Sequence, residues 1–293
     1  MVNKRLLLFR SLSYFGAAFI TFSCTAIFLF IIIQGLPVLN LRLLFGETPP
    51  LDAILGIRPV WEGIWPALVG TLCLVLLTTL LAALPGVCCG IYLARIAKGG
   101  LKAHLSLAID LLAGIPSIVM GLFGFVMILA LRHAGWRNAT TCILLAAFCL
   151  ALLVMPALVV ATRSAVESLP PTLSLTCASL GFSEGQSLRR VLIPASARGI
   201  LGGMILAMGR AAEDTAVIML TGVVVNSGLP AGLAAKFEAL PFFICYTAAQ
   251  YGDESELQRG FGAALTLLLL SALLTGTAHL CQRAVTRRFR GYQ

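Results

Sequence analysis

The chain has 293 residues, 59% of them hydrophobic and only 11% charged, with a mean hydropathy of +0.97. A soluble domain is about 25% charged and roughly half apolar, and its buried fraction rises only slowly with length. A water-soluble globular enzyme is therefore excluded, and the chain reads as an all-α polytopic membrane protein. The 21 Lys and Arg exceed the 12 Asp and Glu by a formal +9, which in a membrane chain asks where the cations sit rather than pointing to nucleic acid.

Six apolar runs are long enough for the roughly 20 residues that a hydrocarbon core requires. The first covers about 12–33. Basic residues precede it, as in a signal peptide, but it is too long and lacks a small-residue cleavage site, so a retained anchor helix is expected. A segment over 34–63 follows, with Pro37, Pro49, Pro50 and Pro59, too rich in proline for one helix. The second span is expected at 64–92, the third at 105–131 and the fourth at 140–161. Pro116 lies inside the third with Gly114, Gly121 and Gly124 nearby, and a helix kink is expected there, either bordering a cavity or serving packing alone.

Next comes a long connection, 162–198, broken at Pro170-Pro171 and at Gly181. Long ordered loops usually carry function. A helix stopped by Gly181, an N-cap at Ser183 with Glu184 in the first turn, and a second amphipathic helix bearing Arg189 and Arg190 are expected. Pro194 is expected to break that helix before the chain re-enters the membrane. The fifth span is expected at 199–225 and the sixth at 260–280.

Fourteen of the 21 cations fall on the side of the termini and the 162–198 connection. Six fall on the other side (Arg42, Arg58, Arg132, Arg137, Lys236 and Arg259), and Arg210 belongs to neither. That asymmetry predicts both termini in the cytoplasm. The terminal Arg287-Arg288-Phe289-Arg290 cluster fits a topology anchor at anionic headgroups better than a nucleic-acid patch. Nine cysteines, an odd number without a C-x-x-C pair, read as packing residues, and three scattered histidines predict no metal site.

Charge at bilayer depth is costly and marks function by default. Arg210 lies 12 residues beyond Arg198, about 18 Å into the membrane. Glu213 and Asp214 follow at i+3 and i+4, within reach on one helix flank. Gly199, Gly203, Ala207, Ala211 and Thr215 form a small-residue face that allows close helix contact. The bland alternative is a buried ion pair that only locks two helices.

The pattern Gly181, nine residues, then Val191-Leu-Ile193-Pro194 resembles the cytoplasmic loop of ABC importer permeases. Where that family has Glu-Ala-Ala, this chain has Leu175, Thr176 and Cys177. Further segments resemble the phosphate permeases of the PstA type. They are Gly63-Ile-Trp-Pro-Ala-Leu-Val-Gly-Thr71, Pro85-Gly-Val with Gly90-Ile-Tyr-Leu, Ala113-Gly-Ile-Pro-Ser-Ile-Val-Met-Gly-Leu-Phe-Gly124, and Gly209-Arg-Ala-Ala-Glu-Asp-Thr-Ala216. In the last, Arg210, Thr215 and Ala216 match, Asp214 replaces a Glu, and Glu213 stands where Gly is usual.

The resemblance implies a type I ABC importer permease fold with six transmembrane helices. It implies an anchor helix and external loop over 1–62, a permease domain over 63–285 with a docking loop at 162–198, and a basic tail over 286–293. Arg210, Glu213, Asp214 and Thr215 would line the substrate pathway, an Arg fork suiting tetrahedral oxyanions. Leu175, Thr176, Cys177, Gly181, Val191, Ile193 and Pro194 would couple to ATPase subunits. The implied partners are a second permease, an ATPase dimer that holds ATP and magnesium, and a periplasmic phosphate-binding protein. The chain itself would be no enzyme and would need no cofactor. The segment 236–258, with Phe242, Phe243, Tyr246 and Tyr251, would serve the binding protein as a platform, or form an interfacial aromatic belt.

Other classes fit less well. An intramembrane aspartyl protease needs Asp110 and Asp214 at one depth, and their distances from the cytoplasmic side differ. A Walker-type phosphate loop is absent from the sequence. An ion-coupled secondary transporter would show acids in two repeats, and only one such site is present. Sulfate, molybdate or phosphonate would suit Arg210 by charge as well as phosphate does.

Overall fold

The computed structural model describes residues 2–136, 139–224 and 227–290, with side chains described between 8 and 284. Arg137, Val225, the end of the basic tail and the side chains of Lys4, Arg5, Arg287, Arg288, Phe289 and Arg290 lie outside the described residues. All named elements are helical, and among the described residues a single bridge between extended segments pairs Val223 with Phe237.

Helix α1 (Val2–Gly35) is apolar on every side, as a helix surrounded by lipid must be, and its most apolar stretch buries nothing against the rest of the chain. It meets the bundle near its end, where Gly35 lies against Phe261 and Leu265 and Phe30 meets Phe261 edge to face at 5.5 Å. The proline-rich segment after it folds as the sequence implies, into a 3-10 turn (Leu36–Val38) and two short helices, α2 (Leu41–Phe45) and α3 (Pro50–Ile54). Asn40 caps α2, its Oδ1 accepting from the Leu43 N–H at 2.8 Å.

The bundle core is α4 (Trp65–Arg95) crossing α7 (Ile143–Glu167). Gly86 and Gly90 of α4, one turn apart, let its backbone approach Leu158, Val159 and Thr162 of α7 so closely that a Cβ on either glycine would collide. Between them come α5 (Gly99–Ala113) and α6 (Ser117–His133). The single kinked span expected at 105–131 is two helices meeting at 95°. Gly114 ends α5, its N–H bonding to the Asp110 carbonyl at 3.1 Å. Pro116 lacks an N–H and turns the chain extended (φ −60°, ψ 141°) before α6 starts. Pro116 thus forms a boundary rather than a bend inside one helix. Among the described residues, five helices are each long and apolar enough to cross a membrane, and the bent pair makes a sixth if it counts as one span.

After α7 the chain forms α8 (Pro171–Ser179), α9 (Glu184–Ser187), a π-turn (Leu188–Leu192) and α10 (Ile193–Glu213). Pro194 does not break this run, which stays helical from Glu184 to Glu213. The π-turn is the reason. The Ile193 N–H bonds five residues back to Leu188, and this wider turn gives the proline ring room where an α-turn would clash with a carbonyl. The small-residue face works as expected: Gly199 and Gly203 lie against Ala165 and Ala161 of α7, and Ala207 and Ala211 pack with Ala82, Ala151 and Val154. A short α11 (Ala216–Thr221), a helix α12 (Leu240–Gln250) and the long α13 (Glu254–Arg290) complete the chain.

Candidate functional site

The fifth span is not one helix. Helix α10 ends at Glu213, Asp214 turns extended (φ −74°, ψ 115°), and α11 begins at Ala216. The expected placement of Asp214 beside Arg210 on one helix flank is therefore wrong. The Asp214 Oδ1 instead accepts from the Val217 N–H at 2.9 Å and caps α11. Arg210 sits in the last turn of α10, where a cation complements the negative helix end. Arg210 and Glu213 are exposed on the surface of the chain, Asp214 and Thr215 are half-buried, and no ion pair forms among them within the described residues. A break in a helix at membrane depth is tolerated only where protein or water satisfies the freed backbone groups. Here the break carries two exposed charges beside it.

In the 162–198 connection, the stop at Gly181 and the cap at Ser183 form as the sequence predicts. Gly181 takes φ +77°, a left-handed conformation that ends α8. Ser183 and Gln186 form a reciprocal capping box: the Ser183 Oγ accepts from the Gln186 N–H at 3.3 Å, and the Gln186 Oε1 accepts from the Ser183 N–H at 3.0 Å. Leu175 is 69% exposed and Thr176 is exposed, while Cys177 turns inward and is buried. Val191, Ile193 and Pro194 are half-buried where the π-turn meets α10. A cavity of about 430 Å³ beneath α8 and α9 is lined by Arg95 of α4 with Phe182, Glu184 and Leu188. On the same side, α5 is tied to α7: Glu167 pairs with Lys102 at 3.3 Å and Arg163 at 3.0 Å, and Arg163 also donates to the Ser106 hydroxyl at 3.1 Å.

At the opposite end a plug links α4 to the segment before α12, a feature that sequence reasoning missed. Gly70 lies against the Glu238 carbonyl, Phe237 is fully buried against Gly222, and the Leu240 N–H donates to the Thr71 Oγ1 at 2.9 Å. The Glu238 carboxylate accepts from the Ser227 and Gly228 N–H groups at 2.8 and 2.9 Å. Burial nevertheless pushes that carboxyl above its ordinary value, against those two bonds. The pair Gly70-Thr71, present in the segment at the head of α4, was the available signal.

Residues 86–291 match the family described as binding-protein-dependent transport system inner membrane component. The chain belongs to that family. As one of its members it is a multi-pass inner-membrane permease component of an ABC transporter, not itself catalytic, and it works with an ATPase and other transporter components. Among curated relatives it is 30% identical over 272 residues to the phosphate transport system permease protein PstA of Haemophilus influenzae, covering 92% of this chain and 90% of that one. It is also 30% identical over 229 residues to PstA 1 of Mycobacterium tuberculosis strain H37Rv, covering 78% and 72%. Among solved structures, a chain of the inward-facing MetNI methionine ABC transporter aligns with a TM-score of 0.58 at 17% identity, over 75% of this chain and 94% of that one. This last likeness establishes the type of fold, an ABC importer permease, and says nothing of cargo.

Proposed function

We propose that this permease carries phosphate inward, as the PstA-type subunit of an ATP-driven importer. The observation behind the substrate is the 30% identity to a PstA that spans about nine-tenths of both chains. In this reading the chain pairs with a second permease, two ATPase subunits dock on residues 162–198, and a periplasmic phosphate-binding protein delivers cargo to the outer end. The permease domain is 63–285, preceded by the anchor and external loop of 1–62 and followed by the basic tail. Both termini are cytoplasmic, in keeping with fourteen cations on that side.

Arg210, Glu213, Asp214 and Thr215 line the pathway in distinct ways. Arg210 offers a forked cation to the oxyanion. Glu213 offsets that charge so that the anion passes rather than stays. Asp214 and Thr215 hold the chain break open. Support for this comes from the exposure of Arg210 and Glu213, since neither charge can face hydrocarbon cheaply. Leu175, Thr176, Cys177, Gly181, Val191, Ile193 and Pro194 carry the ATPase contact and its root. Leu175 in place of an acid makes the contact at that point apolar rather than ionic.

The deciding experiment is radiolabelled phosphate uptake in cells lacking the chain, complemented by wild type or Arg210→Ala, with sulfate and molybdate as competitors. Wild type is expected to restore uptake that neither competitor inhibits. Arg210→Ala, at normal membrane levels, is expected to lose about ten-fold or more, the scale of one lost charge-assisted contact. Failure of wild type to restore uptake with all partner subunits present would refute phosphate as the cargo.

A further inference from the structure

Helices α4 and α6 both lean on α7, and between them runs an apolar groove of about 950 Å³ that none of the described residues fills. Leu81 of α4, Met127 and Leu131 of α6, Leu144 and Phe148 of α7, and Trp136 beyond α6 line it. Its walls differ from the helix seams of this molecule. Where helices meet, the contact is made by Gly86, Gly90, Gly199, Gly203, Ala207 and Ala211, as expected when backbones approach closely in a membrane. The groove shows bulky, flexible side chains instead, which suit a hydrocarbon chain.

The rim is cationic. Arg132 and His133 end α6, and the Arg132 Nε donates to the Ala139 carbonyl at 2.7 Å, which holds the guanidinium at the edge of the groove. Its terminal nitrogens form no ion pair among the described residues. The sequence has no Asp or Glu between Asp110 and Glu167, so nothing on this stretch of chain neutralises it. Trp136 is 71% exposed beside it, as suits an amphipathic ring at headgroup level. Arg132 is also one of the few cations on the side that the positive-inside rule leaves poor in them.

We propose that this groove holds one anionic phospholipid, an acyl chain lying along α7 between α4 and α6 and the headgroup phosphate on Arg132. The site is separate from Arg210 and independent of the cargo. Lipid occupying the groove fills the gap between two helices that otherwise touch mainly through α7, and so supports the packing of α6.

Native mass spectrometry of the assembled transporter in detergent tests this, with phosphatidylglycerol and phosphatidylethanolamine of equal chain length as probes. Wild type is expected to keep one phosphatidylglycerol per copy of this chain. Arg132→Gln is expected to reduce the preference for phosphatidylglycerol roughly five-fold, and Leu144→Trp, which fills the groove, to abolish retention. Equal retention by wild type and Leu144→Trp would overturn the proposal. Should Leu144→Trp fail to assemble, benzoylphenylalanine incorporated at position 148 decides. A crosslink to lipid supports the assignment, whereas a crosslink to a second permease or any other polypeptide overturns it, because the groove is then a protein interface.

Discussion

Asp214 and Glu213 are neighbours with different tasks, and substitution separates them. Asp214 caps α11 through the Val217 N–H. Asp214→Ala is therefore expected to destabilise the protein by about 1 kcal/mol, while Asp214→Asn, which keeps an acceptor, costs a few tenths at most. Thermal unfolding of the purified transporter checks both. Glu213 is exposed and makes no such bond, so Glu213→Gln should leave the unfolding temperature in place and change only uptake. Glu238 adds a pH dependence. Its folded-state pKa lies above its unfolded value because the group is buried. The protonated form is thus favoured by folding, and this contribution is full below the ordinary carboxylate pKa and lost as pH rises through the raised folded value. Glu238→Gln, which retains an oxygen for the Ser227 and Gly228 N–H groups, is expected to flatten the fall in unfolding temperature on going from mildly acid to alkaline buffer.

The helical elements were legible wherever a property is local. A run of about 20 apolar residues announces a span regardless of context, and Gly181 and Ser183 announced a stop and a cap that the chain forms as expected. Backbone breaks were only partly legible: Pro116 announced a kink but not a 95° turn between two helices, and the charges around Asp214 marked a site without showing that the helix stops there. Pro194 misled in the opposite sense, since a π-turn absorbed it. The plug at Glu238 was missed for another reason: Gly70-Thr71 marked one half of it, but Thr71 and Leu240 meet from positions 169 residues apart. Among site residues the charges of Arg210 and Glu213 were readable, whereas the role of Asp214 depended on where α10 stops. The stop at Gly181 carries its own test. With φ +77°, Gly181→Ala is expected to cost about 1–2 kcal/mol at that turn and to misdirect α8. Phosphate uptake and ATPase co-purification should then fall together while membrane levels hold.

For the whole molecule, the distribution of cations predicts an orientation, and the fold keeps the two sets of connections at opposite ends. The Lys102–Glu167–Arg163 cluster, the 162–198 connection and the end of α13 share one side, while the plug, the proline-rich segment and the start of α12 share the other. A fluorescent protein fused at the C-terminus is expected to fluoresce, and alkaline phosphatase inserted between Ile57 and Arg58 is expected to be active. The reverse pair of results would invert the topology. One further property follows from the uninterrupted helix between Glu184 and Glu213. From its first residue to Arg210 it is a lever roughly 40 Å long, at about 1.5 Å per residue. Rocking it by about 10° about its Glu184 end sweeps Arg210 through roughly 7 Å, more than the width of a small oxyanion. In the proposed reading, with an ATPase docked on residues 162–198, a modest rotation at that end, beside the π-turn at Leu188–Leu192, becomes a large stroke at the charged end.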